Sequence, residues 1–590
     1  MAASTHWLAS ATAMSILERG GNAADATVAG GFVLQIVEPH LNGPGGDVPI
    51  LVWSETDRAV SVICGQGVAP AAATIDRMLA LGIDAIPGTG MLPAVVPGAF
   101  DAWLTLLERY GTMTLREVLE PAIHFADDGH PLLPNAAATI ARVEALFRDE
   151  WTTSAERWLP GGRVPTPGSR ARNRVLATTY RRVLAEAESA GSGREAQIDA
   201  ARRAWYQGFV AEAIDGFVAQ TEVMDASGSR HRGLLTGDDL TSWQATVEAP
   251  TSFDYGRYTV FKTGPWGQGP VFLQQLALLE SGELDAAEPG SADWIHTLVE
   301  AGKLAFADRE AWYGDPRFTD VPLGDLLSPE YNQQRRALIT ADASLKLRPG
   351  SPGGRAVRMP PLTVSVAVAD DVRTGPRAGD HTVAGLGEPT VAHDGVTRGD
   401  TCHIDVVDAA GMMISATPSG GWLQSSPTIP ALGFCLGTRG QMFWLQDGLP
   451  NSLRPGARPR TTLSPSFALR DGEPFIAFGT PGGDSQDQWS LQFFLSQVHG
   501  GRNLQETIDA PGFHSDHAPD SFAPRASHPG QLVVESRMGA DVIDDLRRRG
   551  HRVVVGPPWS EGRLSVVARD GGWLKAAANS RGNQGYAAGR

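Results

Sequence analysis

Gly399-Asp400-Thr401-Cys402-His403 lies two-thirds of the way along the 590-residue chain, and its reading decides how the rest is understood. A threonine hydroxyl needs an adjacent base before it can act as a nucleophile. Cleavage of the peptide bond before Thr401 supplies that base without a second residue. The freed α-amino group has a reference pKa of about 7.7–8.0, so a large share is neutral near physiological pH and can take the hydroxyl proton. The same residues also read as the start of a strand. Cys402, Ile404 and Val406 fall on one face, and Asp408-Ala409-Ala410-Gly411 turns the chain into Met412 to Thr417 to close a hairpin. The two readings are compatible.

Residues 340–400, immediately upstream, are dominated by Pro, Gly, Asp, Arg and Thr and carry little periodicity. They suit a poorly ordered precursor segment that yields when its downstream end is cut; a plain surface linker has the same composition. Downstream, the chain becomes β-rich. A strand from Phe475 to Thr480 leads into Pro481-Gly482-Gly483-Asp484, where successive glycine N–H groups can point into one concavity and stabilise an oxyanion. Taken alone, Pro-Gly-Gly reads equally as a turn.

The N-terminal part reads as helical. Leu8 to Arg19 forms one helix, and Asn22 caps a second, Ala23 to Val37, apolar enough all round to be buried. Asn42-Gly43-Pro44-Gly45-Gly46-Asp47 lacks the Lys-Ser/Thr of a P-loop and reads as a tight turn that lets backbones approach closely. Helices are also expected over Leu115 to Asp128 and His296 to Trp312. The charges of the latter, Glu300, Lys303, Asp308 and Arg309, form a solvated or ion-paired face.

Composition bounds the function. With 42% hydrophobic and 20% charged residues the chain is globular, and its formal net charge of −16 argues against nucleic acid or an anionic membrane as partner. Three cysteines specify no disulfide framework or zinc site, so free thiols are expected. His514-Ser515-Asp516-His517 has the look of a metal or acid–base cluster, but two histidines without further ligands do not make a metal site. Neither a long apolar run nor a signal-peptide pattern is present, which gives a cytoplasmic expectation. Met1-Ala2-Ala3-Ser4 leaves little room for an opening strand, which points to a start further upstream.

These segments occur together and in order in one family. Gly20-Gly21-Asn22-Ala23, Val37-Glu38-Pro39-His40, Gly43-Pro44-Gly45-Gly46, Val96-Pro97-Gly98, Gly314-Asp315-Pro316, Asp400-Thr401-Cys402-His403, Leu463-Ser464-Pro465 and Gly479-Thr480-Pro481-Gly482-Gly483 resemble the γ-glutamyltransferases, which are N-terminal-nucleophile hydrolases. The resemblance implies an α+β fold, a four-layer αββα sandwich assembled from a large fragment, 1–400, and a small catalytic fragment, 401–590, held together as a heterodimer. It implies self-cleavage between Asp400 and Thr401, Thr401 as nucleophile, Ser419 as the hydroxyl that orients it, and Gly482 and Gly483 as the oxyanion hole. No metal or organic cofactor is implied. The partners are a small-molecule amide and water or an amine acceptor.

The departures concern substrate binding. Gln66 stands where the family has an arginine that clamps the α-carboxylate of the γ-glutamyl group, and a neutral amide does not replace a bidentate clamp. Gly437-Thr438-Arg439-Gly440-Gln441-Met442 replaces the run that holds the α-amino group, with Met442 at the aspartate. Thr461-Thr462 replaces a Ser-Ser pair. Arg439, Gln441, Trp422 and Trp444 then suggest a pocket for an acyl group other than γ-glutamyl, although core packing also accounts for the tryptophans. The alternatives are true γ-glutamyl transfer with glutathione hydrolysis, a carbon–carbon bond hydrolase of a natural-product pathway, and a non-catalytic binding relative.

Overall fold

The computed structural model describes residues 1–280, 282, 284, 287–364, 401–581 and 584–590. Asp400, and the part of the segment 340–400 beyond residue 364, lie outside the described residues.

The expected hairpin forms. Ile404–Val407 pairs antiparallel with Met413–Ala416. Asp408 Oδ1 accepts the N–H groups of Gly411 at 2.8 Å and Met412 at 3.0 Å, which fixes the turn. This hairpin sits inside a seven-stranded sheet ordered 586–588, 2–4, 404–407, 413–416, 48–54, 59–65, 246–248. Alternation then sorts its side chains. Cys402, Ile404 and Val406 enter a core shared with the helices Trp7–Glu18, Ala23–Val37 and Ala99–Tyr110. Val407 and Met413, with Leu51, Trp53 and Val62, meet Phe467, Ala477 and Val567 of a six-stranded sheet.

That second sheet is ordered 573–578, 565–570, 473–479, 466–470, 258–262, 251–255. On its other face Val260, Ala468, Ile476, Phe478 and Val566 pack against the helices Gly269–Leu278, Ala292–Trp312 and Gln486–Gly500. Each sheet thus has helices on one face and the other sheet on the opposite one.

Local signals set the boundaries. Asn22 caps Ala23–Val37 through a capping box with Asp25, and every residue of that helix is buried. The glycine-rich turn brings backbones together as its composition implies: a Cβ on Gly46 would lie 2.0 Å from the Ser419 carbonyl oxygen.

One expectation is corrected and one is decided between its two alternatives. Ala2–Ser4 is a strand after all, paired with Ile404–Val407 on one side and Tyr586–Ala588 on the other. Three residues suffice because neighbours on both sides satisfy the backbone. The charged side of Ala292–Trp312 is not solvated: Glu300, Lys303, Asp308 and Arg309 are buried. They are ion-paired instead, Lys303 to Glu300 at 2.6 Å and Arg335 to Asp308 at 3.3 Å, because residues 329–350 lie over this face. Residues 340–364 are bonded to the same layer, with Gly350 N–H donating to Asp308 at 2.6 Å and Arg348 pairing with Glu300 at 3.1 Å.

Candidate active site

Thr401 is fully buried at the start of the hairpin, where it forms an antiparallel bridge with Ser419. Its Oγ1 lies 3.3 Å from Ser419 Oγ, which accepts from it. Ser419 is itself fixed by backbone bonds in both directions with Asp47, at 2.8 and 3.0 Å. The close approach permitted by Gly46 therefore places Ser419 beside the threonine.

His403, two residues after Thr401, ties the strand that follows Thr401 to the second sheet. Its Nδ1 is 2.8 Å from Thr417 Oγ1 and its Nε2 is 2.9 Å from Asp405. Its ring also lies against Gly479, where a Cβ would come within 2.3 Å of it. Gly479 ends the strand Glu473–Gly479, and the chain continues through Thr480 and Pro481 to Gly482 and Gly483. The threonine and the glycine pair thus occupy the same end of two facing strands.

Gly482 has φ +138° and Gly483 φ +51°, conformations that favour glycine. The loop is clamped from three sides. Gln268 Nε2 donates to the Gly483 carbonyl at 3.3 Å, Arg309 pairs with Asp484, and Ser521 donates to Asp484 through both N–H and Oγ at 2.7 Å. Burial pushes the Asp484 carboxyl up, but the Arg309 charge and the Ser521 bonds hold it below the usual range. Asp520 beside it is pushed well above that range by burial and by the charge of Asp484. Gly482, Gly483, Asp484, Asp520 and Phe522 line one cleft.

The substrate-binding candidates separate into two groups. Gln66 is buried and donates through Nε2 to the Pro459 carbonyl, while its Oε1 has no partner. Pro459 is two residues from Thr461, whose Oγ1 accepts from Leu463 N–H at 3.3 Å; the buried Thr462 Oγ1 has no partner. Thr461 and Gly483 are joined through Gln268, which donates from its backbone N–H to the Thr461 carbonyl at 2.9 Å.

The second group is linked to Ser419 through Asp47. Arg439 donates through Nε to Asp47 Oδ1 at 3.0 Å, with its guanidinium carbon 5.3 Å from the centre of the Trp422 ring and 5.9 Å from that of Phe522. Trp422, Met442 and Phe522 form a small apolar cluster of their own. Burial pushes the Asp47 carboxyl up, against the lowering effect of Arg439. Gln441 is engaged with the framework, donating to Gly88 O and Thr438 Oγ1 at 3.2 Å and accepting from Ala523 N–H at 3.2 Å. Trp444 is stacked under Arg525, 3.8 Å from the ring centre.

The histidine motif splits up. His514 is buried between Glu561 at 2.5 Å and Asp516 at 3.2 Å, whereas His517 Nδ1 accepts from Gly530 N–H at 3.0 Å. Among the described residues the grouping with metal-ligand spacing is His296, Glu300 and His551. Its carboxylate already pairs with Lys303 and Arg348, which makes it a poor cation site. The three cysteines are free and buried, as expected.

Sequence reasoning missed Asp47, Gln268, Asp484 and Phe522. Asp47 and Asp484 each directly follow a glycine pair, a position that a turn reading treats as solvent-facing; that adjacency was the available signal.

Residues 9–589 match the family model described as Gamma-glutamyltranspeptidase. A solved structure of LmbA2991HD is 55% identical, covers 100% of this chain and 98% of its own, and superimposes with a TM-score of 0.91. The cephalosporin acylase from Bacillus halodurans is 27% identical over 99% of this chain and 94% of its own, with a TM-score of 0.81. The glutathione hydrolase-like YwrD proenzyme of Bacillus subtilis (strain 168) is 29% identical over 99% of this chain and 97% of its own.

Proposed function

Because the chain belongs to the γ-glutamyltranspeptidase family, whose members are hydrolases and acyltransferases, we propose that it is a self-processing amidohydrolase or acyltransferase working through an acyl-Thr401 ester. Its sheets and helices are read as the four-layer αββα sandwich of N-terminal-nucleophile hydrolases, divided into 1–400 and 401–590. The observation that carries the reading is the 3.3 Å contact of Thr401 Oγ1 with Ser419 Oγ, at the strand end shared with Gly482 and Gly483.

In the processing step Thr401 Oγ attacks the Asp400 carbonyl carbon; collapse breaks the Asp400–Thr401 C–N bond, which forms an ester and frees the α-amine, and water then hydrolyses that ester to release the Asp400 carboxylate and the Thr401 hydroxyl. In turnover that amine takes the Thr401 hydroxyl proton as Oγ attacks the substrate amide. The N–H groups of Gly482 and Gly483 hold the oxyanion, a contribution of about 10²–10³ in rate per donor. Collapse expels the amine, which leaves with a proton, and water or an acceptor amine then resolves the ester.

The acyl group is read as other than γ-glutamyl. Gln66 spends its donor on the Pro459 carbonyl, and Met442 lies in an apolar cluster, so neither offers a charge to an α-carboxylate or an α-ammonium. Losing such a buried partner costs roughly 2–5 kcal/mol of binding. Relatives named as a glutathione hydrolase-like proenzyme and as a cephalosporin acylase both match nearly the whole chain, which leaves the pocket to decide.

Intact-mass measurement of the purified protein under denaturing conditions tests the proposal. Two chains, the smaller beginning at Thr401, are expected; a single 62.6 kDa species that turns over no amide overturns it.

A further inference from the structure

Arg439 is 1% exposed, yet only its Nε is used; neither Nη1 nor Nη2 has a hydrogen-bond partner. A buried guanidinium that leaves donors unmade costs stability, and charged donors cost most. With Nε on Asp47, the free pair is the end-on fork, two parallel donors whose spacing matches the two oxygens of a carboxylate. The guanidinium lies beside the Trp422 and Phe522 rings, which cluster with Met442, and Phe522 also lines the cleft holding Gly482 and Gly483. Asp47 joins this group to the nucleophile, because its backbone pairs with Ser419 while its side chain holds Arg439.

We infer that Arg439 anchors a carboxylate carried by the acyl group itself, so that the substrates are amides of acids with an apolar body and a second, free carboxylate. The inference rests on the acyl-Thr401 reading of the same site. It also gives a reason for poor γ-glutamyl binding, since a glutamyl ammonium directed at the Met442 cluster meets the two open donors of the Arg439 guanidinium.

The test compares succinyl, glutaryl and adipoyl p-nitroanilides with their ω-carboxamide counterparts on the processed protein. At least a tenfold preference in kcat/KM for one carboxylate over its carboxamide is expected, and Arg439→Gln is expected to abolish it. Equal turnover of carboxylate and carboxamide by the wild type overturns the inference and leaves the proposed function standing. Should the wild type process itself but cleave no anilide, tryptophan fluorescence titration with succinate, glutarate and adipate decides: saturable binding that Arg439→Gln weakens at least tenfold supports the anchor, and absence of binding overturns it. Should Arg439→Gln fail to fold, Arg439→Lys, which keeps the charge and loses the fork, takes its place with the same expected loss. Intact mass at Thr401 is recorded for every variant, so failure of the nucleophile reading appears as an uncut chain and not as lost selectivity.

Discussion

Thr401 Oγ1 and Ser419 Oγ, 18 residues apart in sequence, lie 3.3 Å apart across an antiparallel bridge at the mouth of the 404–416 hairpin. The hairpin register fixes this pair: Ile404 opposite Ala416 places the residues before one and after the other side by side. The Ser419 hydroxyl is thereby delivered beside Thr401 by strand pairing and needs no loop of its own.

Replacing either partner should separate their roles. Thr401→Ala is expected to remain a single chain, and Thr401→Ser to be cut. Ser419→Ala should be cut at least tenfold more slowly than wild type, as followed by denaturing electrophoresis and intact mass over time. Processing of Thr401→Ala at the wild-type position would transfer the cleavage to a contaminating protease.

Gly482 cannot carry a side chain. A Cβ there would lie 2.1 Å from the Trp489 ring, in a backbone conformation at φ +138° that L side chains rarely adopt. Gly482→Ala is expected to lower kcat by about 10²-fold or more by misaiming an oxyanion donor, and to lower stability by about 1–3 kcal/mol through strain. Steady-state kinetics and urea unfolding measure the two effects.

The specificity reading predicts a gain as well as a loss. Wild-type turnover of glutathione and γ-glutamyl-p-nitroanilide should be poor. Gln66→Arg combined with Met442→Asp should raise kcat/KM for the anilide by at least about tenfold, since each restored charged partner carries a few kcal/mol. Efficient, saturable wild-type turnover of glutathione would instead restore γ-glutamyl transfer as the activity.

His514 supplies a pH-dependent stability difference. Burial alone lowers its pKa, but Glu561 and Asp516 outweigh burial and hold it at about 10. The folded value lies above the unfolded value of about 6.5, so the stabilisation is fully present below pH 6.5 and is lost as pH rises through 10. Urea unfolding of wild type and His514→Gln at pH 6 and pH 10.5 should show a gap that narrows by more than half at the higher pH.

The periodic elements were legible in the sequence. The hairpin after Thr401, the capped helix 23–37 and the strand into Pro481-Gly482-Gly483 each carry their signal within a few adjacent residues: alternation, a capping box, a glycine pair after an apolar run. The strand Ala2–Ser4 was not legible, because three residues give no periodicity and its reality rests on two remote neighbours. The burial of the charges on Ala292–Trp312 was equally hidden. Whether a charged face is solvated depends on residues 329–350 folding back over it, and that is a long-range event.

The sequence by itself determined the backbone pattern and the residue types that the proposed chemistry needs: a threonine at the start of a hairpin, a glycine pair after a strand, and a neutral glutamine and a methionine at the proposed binding positions. Only the tertiary structure decided which of these meet. It set Asp47 against both Ser419 and Arg439, left two nitrogens of that arginine without a partner, and divided the histidine motif between two unrelated bonds. Local propensity is written in adjacent residues and can be read from them. The pairing of buried charges depends on which distant side chains share a low-dielectric space, and only the folded packing defines that.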